Sequence, residues 1–110
     1  MFVKESWDIE VKNEEKQSKY SYRLTECRYK GEQAFGIEVE KIDIKNGKIV
    51  TIERDSVEVI SNIESKVREI LEILFKNIVS PIHFIDVAGE YIDDCIKDFD
   101  CKEIFELVYS

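Results

Sequence analysis

The spacing of apolar residues changes period once along this chain, near Ile60, and that change limits the fold to strands followed by helices. Upstream, apolar side chains recur at every second residue: Trp7, Ile9 and Val11; Tyr20, Tyr22 and Leu24; Phe35, Ile37 and Val39; Val50 and Ile52. Such alternation sends each set to one face of a strand. Downstream, Ile60, Ile63, Val67, Ile70, Leu71, Leu74 and Ile78 recur at three- and four-residue spacing, with Glu64, Arg68, Glu69 and Glu72 between them. That is the pattern of an amphipathic helix.

The breaks between the strand runs identify their connections. Asn46-Gly47 supplies the two left-handed residues of a type I′ hairpin turn, and Lys30-Gly31-Glu32 separates the second run from the third. Residues 13–19 are polar and read as a loop. The phase slips from Leu24 to Cys27 and Tyr29, and again from Val39 to Ile42 and Ile44, which predicts a bulge or bend in each of those strands. Short connections of this kind build an antiparallel meander of about four strands.

For the first helix, Ser61 and Glu64 have the spacing of a capping box, and Pro81 sets the latest point at which it ends. Ser80-Pro81 then reads as an N-cap with proline at the first helical position. The second helix would carry Phe84, Ile85, Ala88, Tyr91, Ile92, Cys95, Ile96 and Phe99 toward the core. Asp100 and Glu103 are spaced as a further capping box, opening a short terminal helix, with an edge strand as the alternative over residues 101–109. The expected fold is α+β: one domain of 110 residues, with the meander followed by two main helices on one sheet face and a short C-terminal element.

Charge narrows the classes of partner. The net charge is −8, and residues 56–110 hold 12 acidic against 5 basic side chains, with no clustered Lys/Arg run in the chain. Nucleic-acid phosphates and anionic lipid repel such a surface, so neither nucleic acid nor membrane is an expected partner. The most apolar stretch, residues 60–79, is broken by charges and cannot cross a bilayer. Three cysteines, Cys27, Cys95 and Cys101, form no close pair, which suits a reduced cytoplasmic setting.

The only histidine, His83, stands three residues before Asp86, a spacing that puts both on one helix face. The carboxylate there could orient an imidazole for general-base work, with Tyr91 or a cysteine nearby, or simply complement the positive end of the helix dipole. Cys27, His83, Cys95 and Cys101 would barely make a zinc set and lack its close pairs, so no metal or other cofactor is expected. Asp86, Glu90, Asp93 and Asp94 recur along the outer face of the second helix as a candidate surface for a basic partner. Trp7, Tyr20, Tyr22, Tyr29 and Phe35 either form the sheet side of the core or present an aromatic contact face.

Residues 21–26 (SYRLTE), 35–40 (FGIEVE) and 80–87 (SPIHFIDV), with EYIDD following, together resemble a family of small proteins from clostridial and related spore-forming bacteria, classed as a domain of unknown function. The resemblance covers about residues 18–96, and its most specific element is Ser-Pro-x-His-x-x-Asp-Val. It implies a single bacterial cytosolic domain and brings no activity or ligand with it. The functional expectation is a non-enzymatic interaction or regulatory module that recognises a protein partner or forms a homodimer. A small enzyme or ligand-binding protein using His83 and Asp86 is the alternative.

Overall fold

A computed structural model describes the backbone of residues 2–109 and the side chains of residues 2–96. The four strands form one antiparallel sheet in the order β1-β2-β3-β4: β1 Phe2–Lys12, β2 Gln17–Tyr29, β3 Glu32–Lys45 and β4 Lys48–Ser61. Lys30 and Gly31 (φ 50° and 79°) and Asn46 and Gly47 (φ 53° and 76°) make two-residue hairpin turns in which both central residues are left-handed. The first loop is shorter than predicted, residues 13–16. Asn13 Oδ1 accepts hydrogen bonds from the backbone N–H of Glu15 (3.0 Å) and Lys16 (2.8 Å), which closes it.

The predicted bulge in β2 is absent: β2 and β3 pair in unbroken register from Gln17↔Ile44 to Tyr29↔Glu32. The phase slip has a different cause. Mid-sheet, Tyr22 and Leu24 bury under the helices while Ser21 and Thr25 bury on the opposite face, so the buried set changes face without a change in pairing. Register shifts occur instead at Val3/Glu5, Asp43/Ile44 and Phe35/Ile37. The last is the widest, because Phe35 pairs with Ser61 and Ile37 with Val57, leaving Gly36 opposite residues 58–60.

β4 extends to Ser61, and α1 starts later than predicted, at Glu64–Lys76. Ile60 is therefore a buried residue at the end of a strand and not the first of the helical stripe. The predicted capping box is not formed: Ser61 Oγ accepts from the Ile63 N–H (3.0 Å), and the Glu64 carboxylate pairs with Lys4 of β1. The α1 residues Val67, Ile70, Leu71 and Leu74 bury against Tyr22, Leu24, Ile37 and Val39 in one continuous core. Tyr22 also donates a hydrogen bond to the Val79 carbonyl (2.9 Å), and burial pushes its phenol pKa well above the ordinary value, so it keeps its proton.

α1 ends in a Schellman arrangement, with Val79 N–H donating to the Leu74 carbonyl (3.1 Å) and Ile78 N–H to that of Phe75 (3.3 Å). The left-handed position there is Ile78, at φ 48° and 40% exposed. A β-branched residue is strained in that conformation, and this one has little packing to offset it. Ile78→Gly is expected to raise stability by about 1 kcal/mol, read as a shift in the urea midpoint at unchanged m.

Ser80 is extended, Pro81 opens a one-turn 3₁₀ helix (Pro81–His83), and α2 follows as Phe84–Tyr109. The separate C-terminal element does not form, because the backbone continues as α2; the side chains of Asp100, Cys101 and Glu103 lie outside the described residues. Phe84, Ala88, Ile92 and Cys95 make the buried stripe of α2, narrower than predicted: Ile85 and Tyr91 are each 49% exposed. A single row at i, i+4, i+8 and i+11 suffices because α2 rests in the angle between α1 and β4 and does not lie flat on the sheet.

Candidate functional site

His83 and Asp86 sit where the 3₁₀ turn meets α2, in solvent, with side chains 63% and 81% exposed and Nδ1 3.8 Å from Oδ2. Asp86, Glu90, Asp93 and Asp94 are all exposed along α2. General-base work by His83 requires a concave pocket, and two clefts beside the helices are lined by other residues. One, of about 410 Å³, lies between β1 and α1 and is walled by Trp7, Leu71 and Phe75 with Arg68, Glu72 and Lys76 at its rim. Arg68 closes one side of it, stacking 5.8 Å from the Trp7 ring centroid and making a two-point ion pair with Glu5. The other, of about 250 Å³, runs between α1 and α2 past Tyr91, Asp94 and Cys95. Cys27 is half-buried with Sγ 3.7 Å from the Glu58 carbonyl, Cys95 is buried, and the Cys101 side chain lies outside the described residues. Among the described residues no three His, Cys, Asp or Glu side chains gather as metal ligands.

Trp7, Tyr20, Tyr22 and Phe35 share the face that the helices cover, as the core requires. Tyr22 and Phe35 are buried, and Trp7, Ile9 and Tyr20 pack half-buried beside them, all on the helix side. Beyond Tyr22 and Val39 that side turns polar: Asp43 accepts a hydrogen bond from Ser18 Oγ (2.5 Å), and Lys41 lies over the Tyr20 ring (5.6 Å). The face turned away from the helices is different. Its centre holds Glu40, 4% exposed, between Arg23 (3.0 Å) and Arg54, while Arg23 also pairs with Glu38 (2.5 Å). Burial alone would raise the Glu40 carboxyl's pKa, but the hydrogen bonds from the two guanidinium groups outweigh it and hold it below the usual carboxylate range.

A depressed folded-state pKa means that this ion cluster stabilises the fold above the unfolded carboxyl pKa, and that the contribution disappears as pH falls through the folded value. Glu40→Gln is therefore expected to cost about 2 kcal/mol at neutral pH, with the gap to the wild type closing under acid conditions. Urea titrations at neutral pH and near pH 3 would check both.

Next to this cluster, toward the Asn46-Gly47 turn, cross-strand pairing brings Ile42 against Ile52 and Ile44 against Ile49. Ile42 and Ile44 are half-buried, whereas Ile49 is 59% and Ile52 50% exposed, with Val50 beside them at 56%. An apolar cluster bordered by paired charges has the anatomy of a contact surface. Sequence reasoning placed Val50 and Ile52 in the alternating core set and did not assemble the four isoleucines. The available signal is the slip to Ile42 and Ile44, which moves the apolar side chains of β3 to the face that, among the described residues, no helix covers.

No described helix is long and apolar enough to cross a membrane. Residues 3–94 match the model of a family of unknown function, DUF6514, and the chain belongs to that family. No curated protein matches the chain, and neither does any solved structure.

Proposed function

We propose that this DUF6514 chain is a non-enzymatic protein-interaction module whose contact surface is the open sheet face around Ile42, Ile44, Ile49 and Ile52. The observation that carries the reading is the exposure of Ile49 and Ile52 beside the Arg23–Glu40–Arg54 cluster, on a face that no helix covers among the described residues. Large apolar side chains grouped on a surface mark a binding site more often than a random scatter does. A protein partner or a second copy of the chain suits a surface of net charge −8, and nucleic acid does not. The chain is read as a bacterial cytoplasmic protein, on the resemblance carried by its Ser-Pro-x-His-x-x-Asp-Val segment and on three cysteines without a close pair.

A basic partner on α2 is the second reading, supported by the exposure of Asp86, Glu90, Asp93 and Asp94. Light scattering, together with affinity capture by wild-type and Ile52→Lys baits at low and high salt, separates the two. Association that persists at high salt and is lost in Ile52→Lys supports the sheet face. Association lost only at high salt and indifferent to Ile52→Lys supports the acidic helix. A monomer that captures nothing under either condition overturns both.

A further inference from the structure

We propose that the partner is a second copy of this chain, joined through the outer edge of β4 at residues 48–53 so that two four-stranded sheets become one across a twofold axis. The inference rests on the interaction reading above and names its partner. Both β1 and β4 are edge strands, and an open edge offers unpaired backbone N–H and C=O groups to another strand. The two edges are not alike. β1 carries Lys4, Glu5, Asp8, Glu10 and Lys12, and its Lys4 and Glu5 are tied to Glu64 and Arg68 of α1. Charges of this density guard an edge against pairing. β4 opens with Lys48 and gathers its charges beyond residue 52, so that Ile49, Val50, Thr51 and Ile52 form an unbroken uncharged run of high strand propensity, of which the first, second and fourth are at least half exposed.

The segment is complementary to itself when run antiparallel. Lys48 stands at one end of the uncharged run and Glu53 at the other, so in a twofold pair each Lys48 meets the Glu53 of the second copy while Ile49 meets Ile52 and Val50 meets Thr51. The faces agree as well. Ile49 and Ile52 pair with Ile44 and Ile42, so the register shift at Asp43/Ile44 leaves both on the open face. Lys48 and Glu53 pair with Lys45 and Lys41, so both lie on the helix side. Without that irregularity, residues three apart would point to opposite faces and the match would fail. Among the described residues neither Lys48 nor Glu53 takes part in an ion pair within its own chain, and one Glu53 carboxylate oxygen is enclosed without a hydrogen bond. The segment is neutral, so the net charge of −8 does not oppose contact at this point.

The test is sedimentation velocity on the full chain, from micromolar to near-millimolar concentration, for the wild type and three variants. The wild type is expected to show a concentration-dependent dimer. Ile49→Lys is expected to weaken it about a hundredfold, since each dimer loses the isoleucine contact twice. Lys48→Glu is expected to weaken it about tenfold by placing like charges opposite one another, and Lys48→Glu/Glu53→Lys to return it to within about threefold of wild type. All of these positions lie on an open edge, and far-UV melting curves confirm that each variant is folded. Should Ile49→Lys fail to fold, the charge reversal and its rescue carry the test alone. A wild type that stays monomeric at every concentration overturns the proposal, as does a dimer indifferent to both single variants. A monomer that binds another protein through Ile52 overturns the self-pairing and leaves the interaction reading standing.

Discussion

Gly36→Ala is expected to cost about 3 kcal/mol and to lower the melting temperature by roughly 15 °C, an effect out of proportion to a single methyl group. A Cβ at this position would stand 2.3 Å from the Val57 carbonyl oxygen and 2.4 Å from that of Glu58. Both obstacles are backbone, so relief requires β4 itself to move. β4 crosses here against the sheet face away from the helices, which is why Thr25 and Ala34 are fully buried on that side and Cys27 lies against Glu58. Displacing it would also disturb Ile60, which β4 delivers to the core two residues later. Gly31→Ala is the control: Gly31 has φ 79° and nothing within 4 Å, so its cost is the backbone conformation alone, about 1 kcal/mol. Thermal melts of the two variants side by side separate collision from conformation. Equal losses would mean that β4 shifts aside at little cost.

The second large effect concerns the segment around the only histidine. Phe84→Ala is expected to cost about 4 kcal/mol, because Phe84 is completely buried and joins the 3₁₀ turn and α2 to the common core. His83→Ala, one residue away, is expected to change stability by no more than about 0.5 kcal/mol, its ring being exposed and its nearest charged neighbour 3.8 Å distant. Urea denaturation of both variants tests the contrast. A loss at His83 comparable with that at Phe84 would show that the imidazole has structural partners beyond Asp86.

These two positions also show how much was legible beforehand. Phe84 was marked for the core by its spacing, whereas Ile85 was marked equally and is half exposed. Apolar spacing reports that a helix has an inner side but not how wide a stripe its neighbours will cover, and α2 meets its neighbours along one row only. Gly36 carried no signal at all. Its conformation is ordinary, and its necessity comes from the backbone of a strand twenty residues later in the chain. The candidate surface is half legible in the sequence: Val50 and Ile52 alternate, and Ile42 and Ile44 follow a phase slip that reads as a bulge or bend, but which face the slip exposes depends on where the helices lie.

By itself the sequence determined the order of strands and helices, the meander and both tight hairpin turns, because each depends on residues a few positions apart and on backbone preferences that operate locally. Only the tertiary structure decided which side of each strand is covered. A strand presents apolar groups to either face with equal ease, and whether they become core or contact surface depends on where α1 and α2 come to rest. α1 lies over Tyr22, Leu24, Ile37 and Val39, α2 packs between α1 and β4, and Ile49 and Ile52 are left in solvent.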